Sequence, residues 1–523
     1  MLTSAVRLRY ASAPLERDEG EYAYAGSLIL SGSPPYQDAY SMKFPGIYYA
    51  YSLLLLLFGP TAHGIRLGLL VVNAATALLL FAIGRRLLGR FEGTVAAVSF
   101  LFLSLDVGIL GIFAHATHFV LLPVLGGLLL LLGSRERVRG WELFCGGALL
   151  GVAVLMKQHA AAFLPLGLAV GLGAGASGWP RSLRTVGTRI VWILGGFALP
   201  LLLLAGVFLQ QGVLSKFLFW TFRYARAYVS EVPLSGASLT LRIGLGTVTH
   251  ATLLFWILAA AGLVLLWIRP WSTRVRLIIS GLLCAGILAT CPGFYFREHY
   301  FILLLPALAL LIGVAFRSGE QWAAGVASSG IARFTAIALF AAVVGIYMHR
   351  ESAYLFSTSQ REMTRARFLM NPFPEAPAIA KYIRDRSRPE DRIAVLGSEP
   401  EIYFYADRRS ATGYLYTYPL MEPQKYASSM QAEMIREIES AQPKFLVYVK
   451  IQTSWLPLVS SDRTIFRWAD RFIADHYDLV GIADIYSFWD TRILWDDAAR
   501  GSTPLSGNLV LTYRRRSDAA ADE

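Results

Sequence analysis

Four short stretches of an otherwise apolar chain carry side chains able to take up a proton or hold an anion. The first reads Glu16-Arg17-Asp18-Glu19-Gly20-Glu21-Tyr22, followed by Ser41-Met42-Lys43-Phe44-Pro45-Gly46-Ile47-Tyr48-Tyr49. The second contains His115 and His118, the third Lys157, Gln158 and His159, and the fourth Arg297, Glu298, His299 and Tyr300. Carboxylates accept protons, ammonium and guanidinium groups hold anions, and imidazoles do either. A charge at mid-bilayer costs roughly 2.5–3.5 kcal/mol on insertion scales, so ionisable groups gathered at the ends of apolar runs mark a polar pathway. Brought together, the four stretches would form one cavity at a membrane surface. Plainer readings stand beside this one. Glu16, Arg17 and Glu21 read as solvated loop charges, His115 and His118 equally well as interfacial polar side chains, and Lys157 as a snorkelling lysine.

Composition supplies the elements that must position these groups. The 523 residues are 55% hydrophobic and 16% charged, where soluble domains have roughly 45–50% and about 25%. That is too little polar surface to cover a soluble particle. Apolar runs fill the chain from about residue 47 to 347, and ordinary soluble composition follows. The net charge of +12 sits largely in short connectors, which ties it to membrane orientation rather than to nucleic acid. Cys145, Cys284 and Cys291 lie in or at the ends of apolar runs, with no metal-ligand or disulfide spacing, and read as small packing residues.

A bilayer core about 30 Å thick needs ~20 apolar residues of helix. Ten segments qualify or nearly so: 63–84, 93–112, 117–133, 141–156, 159–176, 190–210, 243–268, 275–292, 300–316 and 323–347. The backbone in lipid must satisfy its own hydrogen bonds, so these are predicted as helices. Positive charge follows every odd-numbered segment: Arg85, Arg86 and Arg90; Arg135, Arg137 and Arg139; Arg181, Arg184 and Arg189; Arg269, Arg274 and Arg276; and Arg317. Such connectors stay in the cytoplasm. Residues 1–60, the loop 211–242, the segment 293–299 and the C-terminal part are then expected outside it, at a bacterial inner membrane. An exported N-terminal loop normally follows a span or signal, and residues 1–14 hold neither, so further chain is expected upstream of Met1.

The sequence thus predicts a polytopic all-α membrane domain of about ten transmembrane helices over 1–347, with a first outer loop at 15–60. A soluble α/β domain is expected over 348–523. Within it, Ala378–Arg386 and Ser428–Ser440 read as helices, and Arg392–Gly397 and Lys444–Val449 as strands. Gly397-Ser398-Glu399-Pro400 is too short for a nucleotide-binding fingerprint, which leaves an accessory domain that covers the site or selects the acceptor. The tail Ala519–Glu523 is expected to be disordered.

Taken in order, these stretches resemble the GT-C glycosyltransferases, in particular the protein O-mannosyltransferase and aminoarabinose transferase group. Arg17-Asp18-Glu19-Gly20-Glu21-Tyr22-Ala23 with Lys43-Phe44-Pro45-Gly46-Ile47-Tyr48-Tyr49 is similar to the acidic pair and lysine-proline element of that family's first outer loop. Gly151-Val152-Ala153-Val154-Leu155-Met156-Lys157 resembles its glycine-rich span ending in lysine. Arg297-Glu298-His299-Tyr300, running on to Pro306-Ala307-Leu308, resembles its late Arg-x-x-Tyr element. The likeness covers roughly residues 15–320. The chain departs from the family in the span that usually precedes the acidic pair, which is expected upstream. It departs again where His115-Ala116-Thr117-His118-Phe119 stands in place of a stretch in which many relatives have an acidic residue, with Asp106 set back in the preceding helix.

The resemblance implies transfer of a sugar from a polyprenyl-phosphate donor to a glycan, lipid or protein acceptor outside the cytoplasm, with no nucleic-acid partner. Asp18 would be the base, its pKa raised by burial beside a second carboxylate, and Glu19 would orient the acceptor. Lys43, Lys157 and Arg297 would hold the donor phosphate. His118, His299 and Tyr300 would complete the substrate pocket. No cofactor is expected, and the missing acidic residue speaks against a divalent metal. A lipid-linked-glycan polymerase or ligase, and a transporter or flippase, are the alternative functions.

Overall fold

The computed structural model describes residues 1–133, 139–173 and 182–516. Arg135, Arg137, Arg181 and the tail 519–523 lie outside the described residues. Each of the ten predicted segments contains a helix, but the helices are unequal. Five are long and apolar enough to cross a membrane: Ala62–Leu87, Leu183–Gln210, Thr273–Thr290, Glu298–Ala323 and Ser329–Arg350. A sixth crossing arises if Leu234–Thr249 and Leu253–Ile268, bent by 109°, count as one broken span. Length and composition therefore do not reproduce the count of ten. Ala116–Leu131, Gly140–Met156 and Gln158–Leu172 have at most 17 residues, and Arg90–Leu103 has 14. At 1.5 Å per residue these reach only about 20–26 Å.

Two predicted segments differ in shape. The segment 243–268 is broken at His250-Ala251-Thr252. The Thr249 and Thr252 hydroxyls there donate to the carbonyls of Leu245 and Val248, a back-bonding that bends helices and that a hydropathy average conceals. The segment 93–112 ends its helix at Leu103. Asp106 is thus not inside that helix but stands just before the short turn Val107–Ile109, and its carboxylate accepts no hydrogen bond from that turn.

Glu298–Ala323 is the axis of the bundle, with 94% of its apolar window buried, whereas Leu183–Gln210 is peripheral at 11%. The peripheral helix is held by close backbone approach. A Cβ on Gly147 would lie 2.1 Å from the Ile193 carbonyl oxygen, and one on Gly196 would lie 1.9 Å from that of Phe144. Small residues permit such contacts between helices in lipid, where burial alone gives no driving force. Cys145 and Cys284 face outward rather than into the protein, so they pack against the surroundings of the bundle instead of its core.

The C-terminal part is a six-stranded mixed sheet of β1 (Arg392–Leu396), β2 (Arg409–Ser410), β3 (Phe445–Lys450), β4 (Tyr477–Asp484), β5 (Arg492–Trp495) and β6 (Leu509–Arg515). Its order is β2-β1-β3-β6-β4-β5. β1 is parallel to β2 and β3, with Val395 opposite Val447, and the remaining pairs are antiparallel. The predicted helices and strands of this part appear as Ala376–Asp385, Ala427–Ala441, β1 and β3. Both strands are buried apolar runs, as parallel strands covered on both faces must be. A close approach joins the sheet unit to the first outer loop. A Cβ on Gly20 would sit 2.6 Å from the Glu401 backbone nitrogen, so only glycine lets the two come together here.

Candidate functional site

Helix Arg17–Leu30 starts with a capping box, in which Glu16 accepts from the Glu19 N–H and Glu19 from the Glu16 N–H. Glu16 and Glu21 are 5% and 1% exposed, and Arg17 is mostly buried, so the solvated-loop reading of this stretch is corrected. Successive helical residues point about 100° apart, while residues three apart share a face. That geometry divides the acidic residues into two groups.

One face carries Asp18 and Glu21. Lys43 Nζ donates to Asp18 Oδ1 at 2.6 Å and to Glu21 Oε2 at 2.5 Å. Tyr48 donates to the other Glu21 oxygen at 2.6 Å. Tyr416, reaching in from the sheet unit, donates to Asp18 Oδ1 at 2.9 Å and lies 3.2 Å from Lys43 Nζ. Asp18 Oδ2 is left facing His115, whose Nδ1 is 3.6 Å away.

The other face carries Glu19. It is fully buried and paired with Arg66 at 2.7 Å, and it also accepts the Ala114 N–H at 2.7 Å. Glu19 was expected to orient an acceptor beside Asp18. Instead its oxygens are committed to the scaffold, because adjacent helical side chains diverge.

The remaining predicted residues converge only in part. The His299 ring stacks on His115 at 4.3 Å. Lys157 Nζ sits 4.4 Å over the Tyr300 ring, which is 4.8 Å from that of His299. Gln158 binds the Met42 carbonyl at 2.8 Å, tying the Lys157 turn to the Lys43 loop. The Arg297 guanidinium lies 5.3 Å over Tyr295 and within electrostatic reach of Lys157. His118 is buried near Arg7 and His115, with neither ring nitrogen hydrogen-bonded.

The electrostatics differ from the expectation at Asp18. Burial pushes its pKa up, but Lys43 and His115 outweigh burial and hold it well below the usual carboxylate value. The raised pKa expected from a neighbouring carboxylate is thus reversed, since Glu19 points away and a lysine takes its place. Burial pulls His115 down, while Glu16 and Asp18 raise it to a net increase. Burial, Lys43 and Arg297 bring Lys157 down to about 7 against the pull of Asp18.

Three residues could hold a cation. One ligand atom each from Asp18, His115 and His299 lie within 4.8 Å of one another, and neither nitrogen of His115 has a hydrogen-bond partner. A carboxylate with two imidazoles suits a divalent transition metal. The sequence did not reveal this set because its three members are far apart in the chain.

Sequence reasoning also missed Glu21 and Tyr416. The i, i+3 spacing from Asp18 was the available signal for Glu21. The sheet unit contributes further through Arg17, which donates to Asn371 and Glu399, each at 3.0 Å, and lies 5.3 Å over Tyr418.

Residues 42–207, which include Lys43, His115, His118 and Lys157, match the family model described as dolichyl-phosphate-mannose-protein mannosyltransferase. No curated protein matches the chain in sequence. Among solved structures, ArnT from Cupriavidus metallidurans bound to undecaprenyl phosphate is 16% identical, with a TM-score of 0.59 over 98% of this chain and 96% of that one. The apo state of that protein gives 16% and 0.54 over the same shares. The Archaeoglobus fulgidus oligosaccharyltransferase in complex with Zn and sulfate gives 12% and 0.50, over 98% of this chain and 74% of that one. The resemblance read from the outer loops is thereby borne out, and the chain carries the fold of the GT-C glycosyltransferases.

Proposed function

We propose that this protein is a membrane glycosyltransferase that moves a sugar from a polyprenyl-phosphate donor to an acceptor on the non-cytoplasmic face. The observation that carries this reading is the Asp18 carboxylate, pinned through Oδ1 by Lys43 and Tyr416 and left open at Oδ2. The acceptor oxygen attacks the anomeric carbon, the bond from that carbon to the phosphate oxygen breaks, and the phosphate leaves with the electron pair. Asp18 Oδ2 takes the acceptor proton, late in the reaction because the carboxylate is a weak base. Lys157 and Arg297 face the charge that develops on the phosphate, the kind of preorganised stabilisation that usually dominates such catalysis. The donor tail stays among the apolar helices, and a short helix such as Gly140–Met156 ends where the phosphate must sit. This reading includes ten crossings, with the first outer loop and the sheet unit outside the cytoplasm, as the arginine distribution requires.

The test is release of free polyprenyl phosphate from a sugar-charged carrier by purified protein, followed by mass spectrometry. Release by the parent, and release slower by about 10³-fold with Asp18→Asn, is expected. Equal release by both sinks the assignment of the base, and a carrier moved across the bilayer with its sugar intact indicates a flippase instead.

A second reading rests on the Asp18–His115–His299 cluster. A divalent cation held there would supply positive charge beside the departing phosphate. Its measurable consequence is bound metal in the purified protein, lost in His115→Ala/His299→Ala. Metal-free protein at full activity rules it out.

A further inference from the structure

In open α/β sheets, ligands bind beyond the carboxyl ends of parallel strands. β1 and β3 are such neighbours, and both ends serve the site. Past β1, Ser398 and Glu399 hold Arg17. Past β3 comes the turn Gln452–Trp455, which has two working sides. Thr453 binds Asn371 at 2.9 Å and Ser454 binds Glu399 at 2.7 Å, so these two residues brace the partners of Arg17 next to Asp18. Gln452 and Trp455 line a separate cavity of about 330 Å³ together with Tyr448, Lys450, Arg463 and Phe466.

We propose that this cavity is a second saccharide site, selective for a sugar bearing an anionic group, and that it holds a remote part of the acceptor. The walls are aromatic: the Trp455 and Phe466 rings are 4.6 Å apart. Aromatic rings offer apolar area at low entropic cost and suit the C–H faces of a pyranose. The rim is cationic. Lys450 Nζ lies 5.2 Å over Tyr448 and the Arg463 guanidinium 5.7 Å over Phe466. Both side chains are exposed, and among the described residues neither forms an ion pair. Arg463 spends one N–H on the Leu458 carbonyl, which leaves most of its donor fork free. The neighbouring carboxylate of Asp462 is committed to Ser428 and Thr464. The volume falls at the lower end of the roughly 300–1,000 Å³ of small-molecule sites, which suits one or two sugar rings. Binding energy from a remote part of a substrate can be used to orient its reacting end, and this turn borders the cavity through Gln452 and Trp455 and the partners of Arg17 through Thr453 and Ser454.

Naming the ligand as acceptor rests on the glycosyltransferase reading, whereas binding itself does not. The test is therefore equilibrium dialysis of full-length protein in detergent against labelled glucose 1-phosphate, glucose and inorganic phosphate, with no transfer required. Saturable binding of glucose 1-phosphate is expected, at least tenfold tighter than either glucose or phosphate. It should weaken at least tenfold in Lys450→Ala/Arg463→Ala, whose altered residues are both exposed, and persist in Arg297→Ala. Absence of saturable binding, equal binding of glucose or phosphate, indifference to the double substitution, or loss in Arg297→Ala would each overturn the proposal. All four leave the transferase reading standing.

Discussion

The two faces of helix Arg17–Leu30 use the same chemical group for opposite purposes. Glu19 is closed: an arginine and two backbone N–H groups consume its oxygens, in full burial. Asp18, one residue away, is half closed, with a lysine and a tyrosine on one oxygen and only imidazole near the other. A saturated carboxylate stabilises a fold, while an unsaturated one held rigidly by its neighbours can react. The difference comes from the 100° step between successive helical residues and from what each face meets.

Four substitutions separate these roles. Asp18→Asn keeps the shape and removes the proton acceptor, so transfer should fall about 10³-fold, within the range for loss of a general base, while thermal stability stays near the parent's. Glu19→Gln should do the reverse. Breaking a buried pair on one side costs about 3–5 kcal/mol, which would appear as a large drop in melting temperature and folded yield with near-normal rate per folded molecule. Tyr416→Phe removes one hydrogen bond to an ionised group, worth roughly 1.5–3 kcal/mol, so kcat should drop at least tenfold. The carboxylate must be ionised to act, and its pKa is depressed. Losing a donor raises that pKa, so the acid limb of the pH profile should move to higher pH. A rate loss with an unmoved limb would make Tyr416 a mere packing residue.

The smallest effect concerns Lys157. With a pKa of about 7 it is charged below neutrality and loses its proton as pH rises, so kcat/KM for the donor should decline above pH 7. Lys157→Arg, always charged, should flatten that decline while changing the plateau only a few-fold.

Much of this was legible in the sequence. Asp18, Lys43, Lys157, Arg297 and His299 were marked by ionisable groups at the ends of apolar runs, where the cost of charge demands a reason, and Tyr300 by its place beside His299. β1 and β3 were legible as short apolar runs, the first ending in Gly397. The helix face was misjudged at Glu19, although the spacing rule that separates it from Asp18 also groups Asp18 with Glu21. Tyr416 carried no local signal, because it lies 398 residues from Asp18 in the chain and is brought to it by long-range packing such as that of Gly20 against Glu401 and of Arg17 against Glu399. The bend at Thr249–Thr252 escaped because hydropathy averages cannot register where hydroxyls bind the backbone.

The most direct measurement is the single-turnover rate of sugar release from a polyprenyl-phosphate donor, per folded molecule, for the parent, Asp18→Asn and Glu19→Gln side by side. The expected result is a loss of about 10³-fold for Asp18→Asn and a Glu19→Gln rate close to the parent's. Comparable rates for Asp18→Asn and the parent, or an equal collapse in both variants, would contradict the division of labour between the two faces.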